Sequence, residues 1–196
     1  MADDLAALTN EQLWRLFPIV LAPHDPAWAE RYREERARIL RAIGPSAVFR
    51  ITHIGSTAVP GLVAKPTIDI LLEIARDADL DRLTAAMGAA GYRLSPQPDK
   101  PPPHRMYLKG YTPEGYRGQV YHVHVRYPGD WDEPYFCDYL IAHPEVAAEY
   151  AALKAELAAR LAHDRDGYTN AKGEYVRRIT ALARAAFPGS HAPRDG

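Results

Sequence analysis

Apolar and polar positions along this chain alternate in blocks whose period changes several times, and each change marks an element. Thr9-Asn10-Glu11-Gln12 has the form of a capping box, which predicts a short helix that must stop near Pro18. Ile19-Val20-Leu21 is an apolar run the length of a brief strand. Asp25-Pro26 is a helix start, and Trp28, Tyr32, Ile39 and Ile43 then recur at roughly helical spacing as far as Gly44. Glu30, Arg33, Glu34 and Arg38 form the solvated side of that helix. From Ile51 to Ile74 (ITHIGSTAVPGLVAKPTIDILLEI) the pattern becomes two strands, the first ending in Gly55-Ser56, with a Pro60-Gly61 turn between them.

Leu80, Leu83 and Met87 give a second amphipathic helix closed by Gly91, and Tyr92-Arg93-Leu94 begins a third strand. The segment 95–103 (SPQPDKPPP) is too rich in proline for helix or central strand and is expected to be a mobile surface loop. Residues 104–111 and 119–127 alternate as strands, joined through the turn-forming region 113–118. Beyond Pro128 the strand signals stop. Pro144 opens a helix with Val146, Tyr150, Leu153, Leu157 and Leu161 along its apolar edge. A last helix is predicted over about 171–187, with Tyr175, Ile179, Leu182 and Ala186 inward, and residues 188–196 are expected to be a disordered tail. This order predicts an α+β fold, loosely α/β, with a small mixed sheet packed by helices and a C-terminal helical pair. A single domain is expected over 1–196, with an ordered core of about 8–187.

Composition narrows the function classes. The 196 residues suit one well-cored domain, and 47% are hydrophobic and 25% charged, as in ordinary globular proteins. A formal net charge of -1 gives no global attraction to nucleic acid or an anionic membrane, so any polyanion affinity must be local. The single cysteine, Cys137, excludes an intramolecular disulfide and zinc-finger spacing. No apolar run approaches the ~20 residues of a membrane span, and the acidic start MADDLAAL lacks a secretory signal's basic region, so the expected location is cytoplasmic. The oligomeric state is not readable from the chain. There is no P-loop, GxGxxG, HExxH or GxSxG pattern.

Three features carry candidate chemistry. Gly55-Ser56-Thr57 can bring backbone amides and two hydroxyls against an anion, although an isolated Gly-Ser-Thr is usually only a turn. Asp69 lies in a stretch otherwise apolar on both faces, where an ionised carboxylate is costly unless paired, hydrogen-bonded or metal-bound. His122 and His124 project to one face of their strand, close enough to share an ion. Asp69 with both imidazoles would suit Mn²⁺, Zn²⁺ or Fe²⁺ better than Mg²⁺.

The wording HIGSTAVPGL…AKP…D in the central stretch resembles the GrpB family, also called UPF0157, whose fold is that of the nucleotidyltransferase (polymerase-β-like) superfamily. The resemblance spans about residues 8–187. It implies that Gly55, Ser56 and Thr57 contact nucleotide phosphates and that Asp69, His122 and His124 are the catalytic metal ligands. Lys65 adds charge beside the loop, or is a solvated lysine before a proline. Further candidate phosphate contacts are Arg105, Lys109, Lys154 and Lys172; the last two match a Tyr…Lys pattern of the family. The bland alternatives are a surface ion pair for Arg105 and a snorkelling lysine beside Tyr150 for Lys154. His53 faces the same cleft or packs against its strand.

The superfamily places a second carboxylate two residues after Asp69, and here that residue is Leu71. Glu73 keeps the facing but lies roughly 13 Å along an extended strand. The resemblance therefore implies a metal-dependent nucleotidyltransferase-like enzyme acting on a small molecule, with a divalent metal (Mg, Mn or Zn) and a nucleoside triphosphate as its substrate. The alternatives are a non-catalytic nucleotide- or CoA-type ligand-binding or assembly module, and a metal-dependent hydrolase on the same scaffold. All three require the carboxyl group, the imidazoles and the Gly-Ser bend to open onto a common cavity.

Overall fold

The computed structural model describes residues 4–95, 97 and 100–193. Among them five strands form one sheet: β1 (Val48–Ile54), β2 (Thr67–Ile74), β3 (Arg93–Ser95), β4 (Arg105–Thr112) and β5 (Gly115–Arg126). The spatial order is β1-β2-β5-β4-β3. The central β2–β5 pair is parallel and the remaining pairs are antiparallel. Seven α-helices accompany the sheet among the described residues: α1 (Asn10–Leu16), α2 (Ala27–Ile43), α3 (Leu80–Ala89), α4 (Asp132–Ala142), α5 (Pro144–Arg160), α6 (Arg165–Ala171) and α7 (Gly173–Ala186). The α+β expectation therefore holds.

Local chemistry sets the boundaries. The capping box at Thr9 and Gln12 is formed in both directions and starts α1. Asp25 accepts a hydrogen bond from the Ala27 N–H and opens α2. The Ile19–Leu21 run makes no strand. Its neighbourhood contributes only an isolated bridge between Ala22 and Ala64, because Ile19 instead donates to the Ala162 carbonyl.

Alternation along β2 divides the core. Ile68, Ile70, Leu72 and Ile74 pack with Trp28, Ile39, Leu83 and Met87 beneath α2 and α3. Leu71 points the other way, into a cluster with Ile54, Phe136, Leu140, Tyr150 and Ile179 beneath α4, α5 and α7. Asp69, His122 and His124 share that second face.

The C-terminal half differs from the predicted helical pair. It holds four helices, since α4 and α6 gave no amphipathic signal. On α7 the inward residues are Ile179, Thr180 and Ala183, while Leu182 is exposed. Leu182 and Ala186 both point outward, so the inward stripe is shifted by one residue. The expected free tail is also corrected over 188–193: these residues turn back after Phe187, and His191 Nε2 meets Asp138 Oδ2 at 2.7 Å. The His191 carbonyl accepts from Arg50. Residues 96, 98 and 99 of the proline-rich segment, and 194–196 of the tail, lie outside the described residues.

Candidate metal centre and cationic cavity

Parallel pairing of β2 with β5 sets Asp69 opposite His122 and Leu71 opposite His124. His122 Nδ1 lies 3.2 Å from Asp69 Oδ1, and His124 Nε2 lies 3.3 Å from the same oxygen. One donor atom from each of the three residues falls within 4.8 Å of the others. Around an ion with bonds of about 2.1 Å in a tetrahedral shell, neighbouring donors stand about 3.4 Å apart, so the two carboxylate–imidazole spacings match those of a metal site. Leu71 is fully buried in apolar contacts, and His124 stands beside the place where a second carboxylate would be.

Burial opposes ionisation of Asp69, but hydrogen bonds from His122 and His124, and their charge, outweigh it and hold its carboxyl well below the usual range. Desolvation lowers the His122 pKa despite the nearby carboxylate, favouring the neutral imidazole that a metal requires. The far nitrogen of His122, Nε2, is 2.6 Å from the Tyr111 hydroxyl, which orients the ring as outer partners of metal-binding histidines do. Arg165 Nη2 donates to that hydroxyl at 3.3 Å.

The bend before β2 is fastened to this cluster. Gly55 adopts φ 74°, and a Cβ placed on it would lie 2.7 Å from Asp69 Oδ2, so both backbone conformation and contact require glycine there. Ser56–Ala58 form one turn of 3-10 helix after it. Within that turn Ser56 Oγ accepts from Lys154 at 3.1 Å, whereas Thr57 turns inward and donates to the Thr67 carbonyl at 3.1 Å. Thr57, 2% exposed, fastens the loop and does not line the cavity. The Cys137 thiol donates to the Gly55 carbonyl, and burial pushes its pKa up to about 12.

A cavity of about 420 Å³ opens beside the bend, lined among others by Gly55, Ser56, Asp69, His122, Lys65, Lys154, Arg165 and Lys172. Lys154 is 2% exposed, donates to Ser56 and to the Val63 carbonyl, and lies over the Tyr150 ring at 4.6 Å. Lys172 lies 4.4 Å over Tyr168. Desolvation, with repulsion from Lys172 and Lys65, lowers the Lys154 pKa to about 7. Burial lowers Lys65 to about 8, with Arg165 adding repulsion, and Lys172 to about 8, with Lys65 adding repulsion. Four cationic side chains thus face a cavity whose lining carboxylates are Asp69 and Asp166. His124 opens instead onto an adjoining cavity of about 230 Å³, which also touches Gly55, Ser56 and Asp69. Asp69 therefore stands in the wall between two spaces, in place of the single cavity expected.

Arg105 and Lys109 are not part of this arrangement. They lie on the opposite face of β4, where Arg105 donates to the Leu80 carbonyl and Thr84, and Lys109 to Glu35 at 2.6 Å. β4 does neighbour β5, but Met106 and Leu108, not Arg105 and Lys109, share the histidines' side. His53 also belongs to the far face, stacked on Tyr32 at 4.7 Å. Glu73 is fully buried and paired with Arg50, so it is committed to structure. Arg165 and Tyr111 were missed by sequence reasoning. Tyr111 reaches His122 only because the β4–β5 register shifts between Lys109 and Tyr111 at Gly110 (φ 92°), where a Cβ would lie 2.9 Å from the Gln119 carbonyl oxygen.

Fold and side chains together define a class: an α+β protein with a carboxylate–bis-imidazole donor set at the edge of a polycationic cavity. The chain belongs to the GrpB family, whose sequence model, described as GrpB protein, matches residues 18–182. UPF0157 protein PA4798 of Pseudomonas aeruginosa is 41% identical over 170 residues, covering 86% of this chain and 69% of that protein. A protein named dephospho-CoA kinase from Mycolicibacterium paratuberculosis is 31% identical over 192 residues, and there the match covers 87% of this chain but 47% of the relative. The crystal structure of GrpB from Enterococcus faecalis superposes with a TM-score of 0.75 at 26% identity, covering 86% of this chain and 99% of that one. No helix among the described residues is long and apolar enough to cross a membrane.

Proposed function

We propose that this protein is a metal-dependent nucleotidyltransferase-like enzyme that acts on a small molecule and takes a nucleoside triphosphate as co-substrate. The observation that carries the reading is the convergence of Lys65, Lys154, Lys172 and Arg165 on one cavity that also contains the Gly55-Ser56 bend, Asp69 and His122. Four cations, Lys154 buried and the other three half-buried, outnumber the two carboxylates of the lining and suit an anion of several charges, such as a polyphosphate. Asp69, His122 and His124 would hold a divalent ion, which supplies positive charge to a phosphate oxygen at the cavity edge. Ser56 and the backbone N–H groups after Gly55 orient the phosphates, and Lys65, Lys154, Lys172 and Arg165 neutralise their charge. Tyr111 keeps the His122 ring turned toward Asp69. A cytoplasmic location, where nucleotides abound, belongs to the same reading.

The buried Leu71 favours a second reading, a binding module for nucleotide- or CoA-type ligands without turnover, because one carboxylate is a weaker metal anchor than two. Titration calorimetry and a pyrophosphate-release assay separate the two. The enzyme reading expects Mn²⁺-dependent binding of a nucleoside triphosphate and pyrophosphate release with pooled small-molecule acceptors, both lost in Asp69→Ala. Binding without release across Mg²⁺, Mn²⁺ and Zn²⁺ selects the module. Absence of binding removes both.

A further inference from the structure

We infer that the groove walled by Pro18, Val20, Pro66, Tyr116 and Val120 holds the nucleoside of a ligand whose phosphates occupy the cationic cavity. The inference rests on the polyphosphate reading of that cavity. The groove measures about 560 Å³ and adjoins the cavity at Lys65 and Thr67, which line both. Their linings differ in charge. The cavity carries three lysines, an arginine, two carboxylates and hydroxyls among the rings of Tyr150 and Tyr168, whereas proline and valine side chains and a tyrosine ring dominate the groove, with Arg31 and Gln119 at its edge. Val20 and Tyr116 are 55% and 42% exposed, among the large apolar residues least covered in the molecule.

A phosphate chain gains nothing from such walls, and an acyl chain has no use for the polar edge. A heterocyclic base on a ribose has flat apolar faces for valine and proline, and ring nitrogens and exocyclic groups for the edge. The edge is already ordered: Gln119 Nε2 donates to the Pro66 carbonyl at 2.8 Å, and its Oε1 accepts from Arg31 at 3.0 Å. Arg31 is also held by Asp25 at 3.1 Å, and both hydrogen bonds use Nη1, so its other terminal nitrogen is the group offered to a base.

Calorimetry in the presence of Mn²⁺, with inorganic triphosphate and the four ribonucleoside triphosphates as probes, tests this on wild type and on Val20→Trp, which fills the groove from an exposed position. The tightest nucleoside triphosphate is expected to bind wild type about tenfold or more tightly than inorganic triphosphate. Val20→Trp is expected to keep the inorganic triphosphate affinity, which also reports that the variant is folded, and to bring the nucleotide down to it. Equal affinities in wild type, or a nucleotide advantage that survives Val20→Trp, overturn the groove assignment and leave the cavity's reading standing. Failure of inorganic triphosphate to bind wild type overturns that reading and the groove with it.

Discussion

Two lysines packed against tyrosine rings on opposite faces of the sheet differ in whether the fold supplies a counter-charge. Lys109, under α2 and α3, meets Glu35 at 2.6 Å, and the same carboxylate accepts from Tyr92 at 2.9 Å and Arg38 at 3.1 Å. Glu35 is fully buried, and its lone pairs are consumed within the fold. Lys154, on the other face, is more fully enclosed than Lys109 but finds only a serine hydroxyl and a carbonyl, both neutral. Its nearest charged neighbours are cations. A buried charge with its counter-charge is part of the architecture, while a buried charge among its own kind is an incomplete site.

The difference is open to direct attack. The largest effect should follow Glu35→Ala, which strands Lys109 in an apolar layer. The variant should lose about 3–5 kcal/mol in urea unfolding and, where still folded, bind triphosphate as wild type does. A loss of triphosphate affinity in the folded fraction would mean that the two faces are not independent. Lys154→Met should act in the opposite sense, with triphosphate affinity falling about tenfold or more while stability at pH 6 rises by about 1 kcal/mol. The sign reverses because methionine needs no counter-charge.

pH sharpens the same contrast. The Lys154 pKa is about 7 in the folded protein and about 10.5 in the unfolded chain, so between these values the unfolded state holds more protons and stability climbs with pH. Below pH 7 the full cost of the buried ammonium is present. Lys154→Met should therefore lose its advantage over wild type between pH 7 and pH 10. The smallest effect is a fraction of a proton. Binding of Mn²⁺-ATP at pH 8 should be accompanied by proton uptake as the anion raises the pKa values of Lys65, Lys154 and Lys172, read from calorimetric heats in buffers of different ionisation enthalpy. Proton release at pH 8 would contradict the cavity's electrostatics.

Much of this was legible in the residues. The bend at Gly55, the strand carrying Asp69 and the paired imidazoles follow from turn chemistry and a period of two, and the structure brings them together. What escaped did so for physical reasons. Strand alternation says which residues share a face but not which face of a neighbouring strand joins them, so the candidate phosphate contacts Arg105 and Lys109 lie on the side away from the histidines. Helix α4 buries Pro134, Tyr135, Phe136, Cys137 and Leu140, positions that trace no single stripe, while its apolar Ile141 is exposed, so the helix has no amphipathic signature. Arg165 lies on a seven-residue helix after a short turn, too brief for periodicity to register. Leu71 was read as a missing ligand; the structure adds that it is a core residue, so a carboxylate there would also disrupt the packing of Ile54 and Phe136.

The irregularity at Gly110 carries a consequence for how such a site changes over time. Strict alternation would have sent Tyr111 to the layer of Tyr107 and Lys109, and the register shift delivers it to His122 instead. The hydroxyl that steadies the imidazole is therefore inherited through the length of a hairpin arm. Related chains could acquire or discard that support by an insertion or deletion in the arm, with Asp69, His122 and His124 left untouched.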